Sequence, residues 1–158
     1  MAHTNNNPIS LHNIEKRSAE LIDNLMDIWD ASVRASHDFL TDDDISEIRE
    51  CLPNTLTHIL HLIVAKDENN FPVAFMGVED GWLEILFVSP NHFGIGIGRK
   101  LVQYDIDNLG IEQVTVSEQN PNAIGFYEHL GFRIYRRSAC DGEGRPFPLL
   151  YMKYHTTP

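Results

Sequence analysis

Gly94, Gly96 and Gly98 stand at alternate positions, just after a β-branched and aromatic run (Leu83, Ile85, Leu86, Phe87, Val88) that stops at Pro90. An amphipathic run follows them. A strand that enters a helix through such a turn leaves the helix's first N–H groups without partners. Missing Cβ atoms let a ligand approach that backbone closely. With the helix dipole added, the chemistry is anion binding, phosphate above all. Local charge agrees: residues 85–104 contain no Asp or Glu in a chain of net charge −11, and Arg99 and Lys100 fall in the first helical turn. Cations are unfavourable at that end of a helix unless a polyanion sits there too. The alternative is a glycine-rich turn with two solvated basic residues. Neither common nucleotide loop fits. A dinucleotide fingerprint starting at Gly94 needs glycine where Arg99 stands. A P-loop needs Gly-Lys-Ser/Thr where the chain reads Gly98-Arg99-Lys100-Leu101, which points away from ATP or GTP hydrolysis.

The elements that must position this turn read as follows. Ile9 to Ile14 alternates as a half-buried strand. After Ser18, Leu21, Ile22, Leu25, Met26, Ile28, Trp29 and Val33 give one broad helical face that ends near Ala35-Ser36. Thr41 is a predicted N-cap followed by Asp42, Asp43 and Asp44, where the dipole favours acids. Ile45, Ile48 and Leu52 carry that second helix until Pro53, which is expected to stop it. Strands are predicted over Thr57 to Lys66, Phe71 to Glu79 and Trp82 to Val88, the last two joined by an Asp80-Gly81 hairpin turn. This antiparallel meander runs straight into the glycine loop. The next helix carries Leu101, Val102 and Ile106 and ends near Leu109-Gly110. A strand (Glu112 to Ser117), a short helix from Asn120 to Gly131 and a final hairpin (Phe132 to Ala139, Phe147 to Tyr154) complete the order β-α-α-β-β-β-α-β-α-β-β. The fold class is α/β, of the α+β type with a mixed sheet.

Composition bounds the function. At 158 residues with 42% hydrophobic content the chain is expected to be one domain over 1–158, with a flexible start over residues 1–8. The acidic balance argues against nucleic acid and is compatible with a cationic substrate. Cys51 and Cys140 are too few for a disulfide framework, which fits a reducing cytosol. Nothing at the N-terminus reads as a signal peptide, and the run from Ile59 to Ala65 is too short to span a bilayer, so a cytoplasmic protein without membrane contact is expected. His58 and His61, at odd spacing on one predicted strand, face opposite sides and do not suggest a metal.

The loop resembles the diphosphate-binding motif of the GNAT family, the acetyl-CoA-dependent N-acetyltransferases. That motif reads Arg/Gln-x-x-Gly-x-Gly/Ala after a strand ending in valine. Gly96 and Gly98 take its two small positions, and Phe93 replaces its Arg/Gln, removing one polar contact but no backbone donor. The element order is also that of the family. Asn120-x-x-Ala123 resembles its Asn-x-x-Ala helix start, and Phe126-Tyr127-Glu128-x-x-Gly131-Phe132 its aromatic-Tyr-x-x-x-Gly-Phe segment. Residues 32–40 and 144–150 look like a subgroup of small bacterial members.

The resemblance implies a GNAT-like acyl-CoA N-acyltransferase fold. It implies acetyl transfer to a primary amine (small molecule, peptide or protein lysine) in a ternary complex, with acetyl-CoA as cosubstrate and no metal. Leu86, Phe87 and Val88 would offer main-chain groups to the pantetheine. Phe93, Gly94, Ile95, Gly96, Ile97, Gly98 and Arg99 would hold the diphosphate, and Asn120, Ala123, Phe126 and Tyr127 would complete the cofactor site. The resemblance points to Tyr127 as the acid that protonates the leaving sulfur. A phenol of pKa near ~10 can donate to a thiolate of pKa near ~8.5. Tyr127 also fits the apolar stripe of its helix, which is the alternative.

Two residues compete as the base. Glu84 is a carboxylate within an apolar strand, and strict alternation puts it on the face of Leu86 and Val88, where burial would raise its basicity. Otherwise it is a solvated acid. His37 follows the first helix, where family members build the acceptor pocket, and its imidazole suits base chemistry. Otherwise it caps that helix's C-terminus. A non-catalytic acyl-CoA-binding module is the second functional reading, and a dinucleotide-dependent oxidoreductase the third. The acceptor, and the choice between monomer and homodimer, are not written in the motifs.

Overall fold

The computed structural model describes residues 8–36, 38–142 and 144–155. His37 and the expected flexible start up to residue 7 lie outside them. The elements are β1 (Ser10–Asn13), α1 (Ala19–Ser36), α2 (Asp42–His58), β2 (His61–Lys66), β3 (Pro72–Glu79), β4 (Trp82–Val88), a 3₁₀ turn (Pro90–His92), α3 (Ile97–Asn108), β5 (Gln113–Ser117), α4 (Pro121–His129), β6 (Phe132–Ser138) and β7 (Leu149–Tyr154). They form a seven-stranded sheet of order β1-β2-β3-β4-β5-β7-β6, antiparallel throughout except between β4 and β5. The predicted order of elements and the mixed sheet are as observed.

Two apolar layers flank the sheet. The stripe of α1 (Ile22, Leu25, Ile28, Trp29, Val33) packs with Ile45, Leu52 and Leu56 of α2 against Leu62, Val64 and Phe75. On the other face, Ile97, Leu101 and Val102 of α3 and Tyr127 of α4 pack against Ile63, Met76, Val78, Leu83, Val114 and Met152. The period of two in β2 and β3 serves both layers: successive side chains go to opposite helix pairs, so both strands are apolar along their length. The β3–β4 turn is tight because Asp80 and Gly81 both adopt positive φ (50° and 81°), the geometry of a two-residue hairpin loop.

Thr41 caps α2 as its sequence predicts. Its side chain accepts from the Asp44 amide (3.1 Å), and Asp44 Oδ2 accepts from the Thr41 amide (2.9 Å). Pro53, however, does not end the helix. α2 continues to His58, so Thr57 and His58 are helical and the following strand begins at His61. A proline inside a helix costs about 3 kcal/mol. Burying Leu56 completely and Ile59 to 6% exposure beyond it offsets that cost, at roughly 2 kcal/mol per side chain. The helix end is also held from outside. Arg17 donates to the carbonyls of Leu56 (3.0 Å), Thr57 (3.1 Å) and Leu60 (3.4 Å), and to that of Ile14 (3.2 Å). Gly77 lets Ile59 press onto the sheet, since a Cβ there would lie 2.7 Å from Ile59 Cδ1.

Candidate active site

Two irregularities in β4 make the site. Opposite β3, Val78 pairs with Leu83 and Gly77 with Ile85, so Glu84 is an extra residue with no partner across the ladder, a β-bulge. Opposite β5, pairing consists of Trp82–Gln113 and Leu83–Val114 and then stops. From residue 84 onward β4 runs beside a cleft instead of a strand. The cleft opens into a cavity of ≈ 760 Å³, lined by residues 84–88 of β4, 114–117 of β5, the glycine loop and one face of α4.

The bulge corrects the expected side-chain pattern. Leu83, Leu86 and Val88 pack toward α3 and α4, whereas Ile85 and Phe87 pack toward α1 and α2. Leu83 therefore joins the face of Leu86 and Val88 across an odd spacing, because one extra residue resets an alternation of period two. Glu84 still lines the cavity. It is exposed as a residue, yet the cavity walls remove enough water from its carboxyl to raise its pKa, and the charge of Glu79 raises it further.

The glycine loop is built as a cradle. Gly94 and Gly96 have φ of 79° and 86°, a conformation that suits glycine alone, and a Cβ on either would project into open space. Gly96 is the N-cap of α3. The first hydrogen bond of the helix runs from the Lys100 amide to the Gly96 carbonyl (3.0 Å). Among the described residues, none of the amides of residues 94–99 has a hydrogen-bond partner. The loop faces the cavity through Phe93, Gly94, Gly96, Ile97, Gly98 and Arg99. Gly98 has ordinary φ, and its bare Cα makes room for the Phe126 ring, which would lie 3.4 Å from a Cβ. Arg99 and Lys100 are exposed and have no ion-pair partner among the described residues.

α4 closes the far wall. Asn120 caps it by accepting from the Ala123 amide (3.1 Å), and Pro121 takes the first helical position. Asn120, Ala123, Phe126 and Tyr127 all line the cavity. Tyr127 is 7% exposed, held edge-on between Phe126 (5.0 Å between centroids) and Phe132 (5.5 Å). Burial, and then the negative charge of Asp105, push its phenol pKa well above the ordinary value.

Of the candidate site residues, Glu84, Leu86, Phe87, Val88, Phe93, Gly94, Gly96, Ile97, Gly98, Arg99, Asn120, Ala123, Phe126 and Tyr127 come together around this one cavity. Ile95 does not line it; its side chain is 55% exposed beside the loop. His37 lies outside the described residues. His58, expected on a strand, sits in α2 with Nδ1 2.9 Å from the Asn54 carbonyl oxygen. Sequence reasoning passed over Ser32, Ser36, His92 and His129 on the cavity wall, and the buried Asp105 of α3. The position of Asp105, four residues after Leu101 and four before Leu109 on the apolar stripe, was the available signal.

Comparison with known proteins agrees with this geometry. The family described as "Acetyltransferase (GNAT) domain" matches residues 58–134. The peptidyl-lysine N-acetyltransferase YjaB of Escherichia coli is 37% identical over 130 residues, covering 82% of this chain and 88% of YjaB. The solution structure of apo YjaB from Escherichia coli superimposes with a TM-score of 0.84 at 35% identity, covering 94% of this chain and 99% of that one. The PaiA N-acetyltransferase of Thermoplasma acidophilum, solved in complex with coenzyme A, shares the fold (TM-score 0.66, 19% identity, 92% and 99% covered). A cradle of unpartnered amides, a split between β4 and β5 and relatives of this identity agree: the chain belongs to the GNAT family of N-acetyltransferases.

Proposed function

We propose that the protein transfers an acetyl group directly from acetyl-CoA to the side-chain amine of a lysine in a peptide or protein. The row of amides without partners from Gly94 to Arg99, facing a cavity that continues between β4 and β5 to Tyr127, carries this reading. Such a row of free donors suits the two phosphates of coenzyme A, with Arg99 and Lys100 adding positive charge. The edge of β4 that β5 leaves uncovered would take the pantetheine, as a strand partner would. Asn120, Ala123 and Phe126 would line its far side. The lysine acceptor is proposed from the activity for which YjaB is named, and the acidic chain (net −11) favours a cationic one.

Starting from the ammonium, the reaction takes two protons off nitrogen and puts one onto sulfur. A lysine amine is mostly protonated at neutral pH (pKa ~10.4). Glu84, whose carboxyl is made more basic by partial burial and by Glu79, would take that proton. The amine nitrogen then attacks the thioester carbonyl carbon. As the C–S bond breaks, its electron pair goes to sulfur, and the Tyr127 hydroxyl supplies the proton that makes the free thiol. The nitrogen, positively charged once bonded to carbon, gives up its second proton to solvent as the amide forms. The phenolate takes a proton back from solvent and Glu84 releases its own, so one proton is freed per turnover. Neither cysteine lines the cavity, so an acetyl-cysteine intermediate has no thiol there among the described residues. The test is a free-coenzyme A assay with a lysine peptide. Release only in the presence of the peptide is expected; a non-catalytic acyl-CoA-binding module would release none. Tyr127→Phe should lower turnover more than tenfold while acetyl-CoA binding survives, and unchanged turnover would remove Tyr127 from the mechanism.

A further inference from the structure

Asp105 lies in the middle of α3 with no exposed surface, and neither carboxylate oxygen has a hydrogen-bond partner among the described residues. No other Asp, Glu, Lys or Arg among them is buried. Leu101 and Leu109, one turn to either side, pack in the same cluster as Tyr127. β2, β3, β4 and β5 contribute only apolar side chains to that cluster, and the titratable groups within it are three phenols, Tyr104, Tyr127 and Tyr154. The charged or ionisable side chains of the elements around it stand outside. They are His61 and Lys66 on β2, Glu79 on β3, Glu84 on β4, Glu128 and His129 on α4, Arg133, Tyr135, Arg136 and Arg137 on β6, Tyr151 and Lys153 on β7, and Arg99, Lys100 and Asp107 on α3 itself, all exposed except the half-buried His61, Lys66 and Tyr151. A carboxyl buried without a donor costs stability, and core packing alone gives no reason to keep one.

We propose that Asp105 is a positioning residue for acetyl transfer: protonated, it leaves Tyr127 free to give its proton to the departing sulfur, and ionised, it opposes that donation. The inference rests on the acid role of Tyr127 proposed above. Donation turns the phenol into an anion inside a layer already stripped of water. A second negative charge in the same layer makes that anion costlier, because low dielectric strengthens the repulsion. Ionised Asp105 already acts on Tyr127 in this sense, and burial places its own ionisation at about 7, within the range where an intracellular enzyme would sense it. Turnover should therefore fall as pH rises through that value.

The experiment measures kcat at saturating acetyl-CoA and lysine peptide from pH 6 to 8.5 for wild type, Asp105→Asn, Tyr127→Phe and the double variant. Ionisations of the amine and of Glu84 are common to wild type and Asp105→Asn, so they cancel in the ratio of the two. That ratio is expected to fall by more than about fivefold across the range, as the carboxyl passes from mostly protonated to mostly ionised. In the Tyr127→Phe background the effect of Asp105→Asn should not vary with pH. A ratio independent of pH overturns the proposal, and so does a pH-dependent ratio that persists without the phenol. If Tyr127→Phe alone leaves turnover unchanged, the acid role fails first and takes the proposal with it. Asp105→Ala, which buries no amide, gives the same comparison if the Asn variant does not fold.

Discussion

Replacing Asp105 by Asn tests the buried carboxyl without reference to catalysis. In the folded protein burial raises its pKa from 3.8 to about 7. The sign follows from which state holds the proton. Between those two values the folded chain keeps the carboxyl protonated while the unfolded chain releases it, so stability falls as pH rises. The loss begins near the lower value and is complete above the higher one. Three pKa units correspond to about 4 kcal/mol. Most of the window lies where the protein can be handled: between pH 5 and 8 the expected loss is about 2.5 kcal/mol. Asn keeps the shape and cannot ionise. Urea unfolding of wild type and Asp105→Asn at pH 5, 6, 7 and 8 should therefore show a stability difference that moves by that amount in favour of Asn and levels off above pH 7. The pH-independent cost of burying an amide shifts the whole curve without changing its slope. Equal slopes for the two proteins would mean that water or an unseen donor solvates the carboxyl, and the argument from burial would fail.

Other substitutions separate the loop, the base and the scaffold. Gly96→Ala forces an alanine to φ near +86° but meets no atom within 4 Å, so it should cost about 1–2 kcal/mol of stability and raise the KM for acetyl-CoA. Gly125→Ala, exposed in α4 with ordinary φ and open space around its Cβ, should instead raise stability by about 0.5–1 kcal/mol in the same thermal melts, with turnover unchanged. Glu84→Gln should lower kcat and remove the fall of kcat on the acid side. The wild-type carboxyl, with its raised pKa, stays protonated and inactive to a higher pH than an ordinary glutamate. A wild-type acid limb retained in the Gln variant would exclude Glu84 as the base. Arg17→Met removes the donors at the end of α2 and should cost about 2 kcal/mol in urea unfolding.

Features that depend on neighbours in the chain were legible in the sequence. The Thr41–Asp44 capping box, the Asp80-Gly81 turn, the stripe of α1 and the cap of α4 by Asn120 all act within four residues or one helical period, and each stands where local chemistry puts it. The positive φ of Gly94 and Gly96 belongs with them. Pro53 misled because its local cost is certain, whereas the burial that outweighs it, at Leu56 and Ile59, comes from α1 and the sheet. Asp105 was visible as the acid that ends an acid-free stretch and as a polar residue on the apolar stripe of its helix. That it occupies a core position of α3 needed the sheet, and that its charge bears on Tyr127 needed α4.

The bulge at Glu84 was the hardest feature to read and governs the most. A strand's own sequence cannot show that it has one residue more than its partner, because the surplus is defined only by the register of β3. Its consequences meet at one point. The bulge turns Ile85 and Phe87 toward α1 and α2 and keeps Leu86 and Val88 under α3 and α4, so β4 stays anchored in both layers beyond it. A bulged strand also bends and twists more strongly, and pairing to β5 ends at Leu83, the residue just before. The cleft therefore opens where β4 remains firmly packed on both faces but has lost its neighbour on one edge. Such a strand can accept the extended arm of a ligand as a substitute strand without giving up any core contact. Glu84, at the hinge of the split, is the acid that the opening brings to the cavity wall.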